Sequence, residues 1–152
     1  MKHTVHAIPI LIADDDPEDS GMARDALQAS RLGNPLYFVQ DGEELLDFLR
    51  NRGRYADPIV APRPGLILLD LNMPKMGGLE ALTEIKADPD LCMIPVVILT
   101  TSNAMTDVAR SYALGVNSFI TKPVTFDGLV ESMKVLGRYW FDVVELPTEE
   151  AT

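Results

Sequence analysis

Four groups of residues in this 152-residue chain have the types needed for phosphoryl chemistry: the acidic triplet Asp14-Asp15-Asp16, Asp70 behind an aliphatic run, the hydroxyl pair Thr100-Thr101, and Lys122 ahead of Pro123. Carboxylates brought within a few ångströms repel one another unless a cation sits among them. An all-oxygen ligand set suits Mg²⁺, which takes one or two carboxylates together with phosphate oxygens and retained waters. A carboxylate is also a nucleophile toward phosphorus and yields an acyl phosphate. Such a transfer asks the protein mainly for alignment and charge neutralisation. Mg²⁺, the Lys122 ammonium and the Thr100 hydroxyl would together bind the three phosphoryl oxygens.

These groups act together only if the fold brings them together. Short aliphatic or β-branched runs at residues 8–13, 36–40, 66–70, 96–100 and 118–121 alternate with stretches of helical periodicity. Ala23, Ala26, Leu27 and Ser30 share a face of the first stretch; Leu45, Leu46 and Leu49 line the second. Asp41 and Glu44 are placed to open that second helix as a capping-box-like pair, and Gly53 to close it. Leu79, Leu82 and Ile85 line the third; Met105, Val108, Ala109 and Tyr112 the fourth, with Gly115 just past its end; Phe126, Leu129, Val130 and Met133 the fifth. Near-continuous apolar strands separated by amphipathic helices predict an α/β fold, a doubly wound parallel sheet of five βα units covered on both faces. Ligands of such sheets sit beyond the carboxyl ends of the strands, and there all four groups fall. Residues 53–64 (GRYADPIVAPRP) break the alternation and read as a long ordered loop, and residues 139–146 (YWFDVVEL) form a strongly apolar tail.

Composition sets the wider limits. Apolar residues make up 47% and charged residues 24%, the balance of one globular domain with a proper core. The longest apolar stretch is far short of the roughly 20 residues that span a bilayer, and no basic-then-apolar leader opens the chain. A single cysteine, Cys92, excludes an internal disulfide and fits a reducing compartment, so a cytoplasmic protein is expected. With 13 basic and 23 acidic residues the net charge is −10, which opposes binding to nucleic acid or to an anionic membrane.

The stretches ILIADDD, LILLDLNMPKMGG, VVILTTS and FITKP, in this order and spacing, resemble the receiver domains of two-component response regulators over about residues 8–137. The resemblance implies the flavodoxin-like strand order 2-1-3-4-5, with residues 1–137 as receiver and 138–152 as a hydrophobic arm with an acidic end. It implies Asp70 as phosphoacceptor, Asp15 and Asp70 as direct Mg²⁺ ligands, Asn72 as a ligand through its backbone carbonyl, and Asp14 as holder of metal-bound water. Thr100 would be the switch hydroxyl, Lys122 the phosphoryl-binding cation and Phe119 the switch aromatic, with the Lys122-Pro123 bond cis. Three departures stand out. Gly77 replaces a common aspartate. Thr101 replaces a small residue and narrows access to the phosphoryl group. Phe119 lacks the hydroxyl of the usual tyrosine. The long loop, the NMPK turn, TTS and the tail YWFDVVELP further resemble the regulators that work with bacterial phytochromes. That implies a phosphohistidine on a light-sensing histidine kinase as donor. With no DNA-binding segment following, output would pass by contact with another protein.

Simpler roles suit other residues. Asp16 before Pro17 fits a helix cap. His3 and His6 read as incidental, Cys92 as buried filler, and the methionines as fillers of core gaps. Tyr139, Trp140, Phe141, Val143, Val144 and Leu146 are too apolar to stay in water. They fold back on their own domain, against the long loop, or reach a second copy in a homodimer with exchanged arms; the phytochrome-linked resemblance favours the second. Alternative functions are a Mg²⁺-dependent phosphatase with Asp14 as nucleophile and Asp16 as acid, and a dimeric scaffold without phosphorylation. A flavin protein of the same topology is disfavoured, because the acidic end of the first strand would repel the cofactor's phosphate.

Overall fold

The computed structural model describes residues 9–16, 18, 21, 24–25, 35–71, 73, 75–100, 118–121 and 131, with residues 99–100 and 118–121 described through their backbone. The elements are β1 (Ile10–Ala13), β2 (Leu36–Val39), α1 (Gly42–Leu49), β3 (Leu66–Leu69), α2 (Gly78–Ala87), β4 (Val96–Thr100) and β5 (Ser118–Thr121). The five strands form one parallel sheet in the order β2-β1-β3-β4-β5, as the resemblance implied. Of the helices expected around Leu27, Val108 and Leu129, the first is described only at residues 18, 21, 24 and 25 and the third only at residue 131, all helical, and the second lies outside the described residues. So do His3, His6 and the Lys122-Pro123 bond.

The central strands show why their sequences are unbroken apolar runs. Every residue of β1 and β3 is buried, each Ile or Leu side chain contributing about 1.5–3 kcal/mol by leaving water. β2 lies at the sheet edge, and only its last residue, Val39, is fully buried. One face is covered by α1 and α2, whose Leu45, Leu46, Leu49, Leu82 and Ile85 enter the core as their spacing predicted. Phe48, Ala81, Gly42 and Gly78 are also buried, while Leu79 packs only partly. Arg50 ties the two helices together, reaching Asp88 at 3.2 Å and Glu84 at 3.4 Å.

The start of α1 agrees with its sequence and its end does not. The Asp41 carboxylate accepts the Glu44 N–H at 2.7 Å. In return the Glu44 carboxylate accepts the N–H of Gln40 at 2.7 Å, one residue earlier than an ordinary capping box. Gly53 does not close the helix. Asn51 does, in the left-handed region at φ 53°. Asn51 and Arg52 donate to the carbonyls of Phe48 and Asp47 at 3.3 and 2.9 Å, the paired bonds of a Schellman motif. Asn51 suits this position better than most non-glycine residues, and it gains further bonds: its side-chain amide donates to the carbonyls of Tyr55 and Ala61 at 3.1 and 3.0 Å.

Those bonds order the loop from Gly53 to Pro64, as expected of it. A 3₁₀ turn spans Gly53–Tyr55, and Ile59 N–H closes onto the Asp57 carboxylate at 2.9 Å. The Glu44 carboxylate accepts from the Tyr55 hydroxyl and pairs with the Arg54 guanidinium, so the helix start holds the loop. Burial alone would raise the Glu44 carboxyl, but Tyr55, the Gln40 N–H and Arg54 outweigh it and hold the group below its usual range. Ile59 stands 86% exposed at the loop tip. Two expectations fail nearby. Met93 is 67% exposed rather than in the core, and Cys92 is only half-buried, because within the turn of residues 88–94 it is Leu91 and Ile94 that enter the core. Met73 and Met76, by contrast, pack on the core.

Candidate functional site

Register alone aligns the acidic residues. Ala13 pairs with Leu69, so the residues that follow them, Asp14 and Asp70, leave the carboxyl edge side by side. Asp14 N–H donates to the Val39 carbonyl at 3.0 Å, and Asp70 N–H to the Ala13 carbonyl at 2.9 Å, so the ladder still holds both backbones at that point. Asp14 is 4% and Asp70 7% exposed, while Asp15 turns out to solvent. Asp14, Asp15 and Asp70 each place one carboxylate oxygen within 4.8 Å of the others.

Three carboxylates this close, two of them mostly buried, make a donor set of hard oxygens suited to a divalent cation such as Mg²⁺. The remaining expected residues are located less fully. Thr100 ends β4 and pairs with Thr121, so the backbone leading into Lys122 runs beside the end of β4. Phe119 pairs with Ile98, below that edge. Asn72, Thr101 and Lys122 lie outside the described residues, as do Tyr139, Trp140, Phe141, Val143, Val144 and Leu146.

Asp16 takes the capping role its type suggested: its carboxylate accepts the Glu18 N–H at 2.9 Å, two residues on and past Pro17. Its own N–H donates to the Asp14 carboxylate at 3.0 Å.

Sequence reasoning passed over the residues that hold the β3–α2 loop. Gly78 brings the start of α2 against the strand end: a Cβ there would lie 2.4 Å from the Asp70 carbonyl oxygen. Gly78 N–H donates to the Leu71 carbonyl at 3.0 Å. Lys75 adopts φ 63°, a left-handed conformation rare for a side chain of its kind. The glycines of the KMGG stretch were the only hint of so close an approach.

A model of the response regulator receiver domain matches residues 10–134. The chain is 41% identical over 138 residues to the response regulator Rcp1 of Synechocystis sp., covering 91% of this chain and 92% of that protein. The crystal structure of the phosphorylated cyanobacterial phytochrome response regulator RcpA is similar with a TM-score of 0.86 at 40% identity, over 93% of this chain and 99% of that one. The Mn²⁺-bound form of Rcp1 is similar with a TM-score of 0.84 at 40% identity, over the same shares.

Proposed function

This chain belongs to the receiver domains of response regulators, and from that membership we propose that it accepts a phosphoryl group from a histidine kinase on Asp70, with Mg²⁺, and signals by protein contact. The supporting observation is the gathering of Asp14, Asp15 and Asp70 at the carboxyl end of the buried central strands.

In the proposed transfer an oxygen of the Asp70 carboxylate attacks the phosphorus of a phosphohistidine. The new O–P bond forms as the N–P bond breaks, and the electron pair returns to the imidazole, which takes up a proton. When bound, Mg²⁺ supplies charge neutralisation for the phosphoryl oxygens and for the acidic edge. Asp15, Asp70 and the Asn72 carbonyl would hold it, with Asp14 on a coordinated water. Lys122 and Thr100 bind the remaining oxygens, Thr101 restricts access, and Phe119 repacks as Thr100 is drawn in. Residues 1–137 form the receiver in this reading.

The donor we infer is a phytochrome-type kinase, since the relatives include a cyanobacterial phytochrome response regulator. The apolar residues Tyr139, Trp140, Phe141, Val143, Val144 and Leu146 of the 138–152 arm exchange between two copies to give a homodimer. The net charge of −10 speaks against nucleic acid and membrane as targets and fits a cytoplasmic protein partner.

The test is incubation with acetyl phosphate, with and without Mg²⁺, read by intact mass. A gain of one phosphoryl group that needs Mg²⁺ and is lost in Asp70→Asn is expected. No gain in folded wild-type protein would leave a scaffold without phosphorylation as the better reading.

A further inference from the structure

We propose that Gly42, the first residue of α1, is a positioning residue for the β3–α2 loop and through it for the metal-binding edge. The inference rests on the metal reading given above and adds a residue to it.

The loop of residues 71–77 runs from Asp70 to the start of α2. It is held at its near end by the bond from Gly78 N–H to the Leu71 carbonyl, 3.0 Å. At its far end the Met76 carbonyl accepts the N–H of Gly42 at 2.9 Å. The approach there is so close that only glycine allows it. A Cβ on Gly42 would stand 2.4 Å from the Met76 carbonyl oxygen and 2.6 Å from its Cβ. No side-chain rotation relieves a clash with a backbone oxygen, so the loop itself would have to move. The neighbouring pair points the same way: Lys75, held at φ 63°, extends its ammonium to 3.8 Å from the Asp41 carboxylate beside Gly42. The start of α1 therefore backs the segment whose other end carries Asp70. Coupling between two such positions is reciprocal. If Gly42 fixes the loop for the metal, the metal must in turn steady the bond at Gly42.

Two measurements test this. In wild-type protein, saturating Mg²⁺ should slow hydrogen exchange at the Gly42 amide by about threefold or more. No change at Gly42 while Mg²⁺ binds would overturn the inference. By calorimetric titration, Gly42→Ala should weaken Mg²⁺ binding roughly tenfold, whereas Leu49→Ala, at the buried far end of the same helix, should stay within about twofold of wild type. Equal losses in both variants would reduce Gly42 to a general stabiliser and sink the idea. If wild type takes up no Mg²⁺ at all, the metal reading falls first. Positioning is then judged on metal-free protein, where Gly78 amide exchange must accelerate more in Gly42→Ala than in Leu49→Ala.

Discussion

At the residue scale, Glu44 joins three groups through a single carboxylate. It receives the Gln40 N–H, the Tyr55 hydroxyl and the Arg54 guanidinium, and so fastens a helix start to a loop. Because folding lowers its pKa, the stabilisation is present above the ordinary value of 4.5 and is lost as pH falls through the lower folded value. Glu44→Gln should therefore lower the urea midpoint at neutral pH, and its deficit should shrink as the pH falls below 4.5 and through the lower folded value. Tyr55→Phe removes one hydrogen bond to a charged acceptor and should cost about 1.5–3 kcal/mol in the same assay at neutral pH. Gly78→Ala forces a methyl toward the Asp70 carbonyl, 2.4 Å away, and should cost about 1–3 kcal/mol.

At the element scale, Asn51 separates two contributions that usually travel together. Asn51→Gly keeps the left-handed turn and loses the bonds to Tyr55 and Ala61, an expected cost of about 1–2 kcal/mol in thermal unfolding. Asn51→Ala loses those bonds and also strains the backbone at φ 53°, adding about 1 kcal/mol. The same residue shows where sequence reading stopped. Apolar spacing located both described helices and all five strands, since period and burial share one cause. It placed the end of α1 at Gly53, because glycine is the usual left-handed residue; that Asn51 takes the position depends on carbonyls at Tyr55 and Ala61, which only the folded loop supplies. Met93 went wrong for a related reason. Apolar character says that a residue can be buried, not which residues of a turn face inward; here Leu91 and Ile94 do and Met93 does not.

At the scale of the whole molecule, the acidic part of the candidate site was legible because chemistry and topology agree: parallel strands deliver their carboxyl ends to one edge, and Asp14 and Asp70 follow a paired rung. Gly42 was not, since its importance lies in a contact with Met76 that no local pattern encodes. A cation that binds this edge only in the folded state must raise stability by mass action, by about 2.7 kcal/mol at a hundredfold excess over Kd. The melting temperature should therefore rise with Mg²⁺ in wild type and far less in Asp70→Asn, by calorimetry. For the arm, sedimentation should show the full chain as a dimer and the chain ending at Gly137 as a monomer.

The order in which the edge is assembled has its own consequence. β1 leaves the ribosome before any of its partners, and Ile10 must wait for Leu66 before the central pair can form. All strand pairings described are parallel, so none closes through a tight hairpin, and each waits on a long crossover. Asp14 and Asp15 therefore stay apart from Asp70 through the synthesis of the first half of the chain, and no cation site exists in that interval. Uptake of a divalent cation at this edge would report that the sheet has closed around its centre. In refolding, cation binding should follow the pairing of β1 with β3, and chains without that pair should take up none.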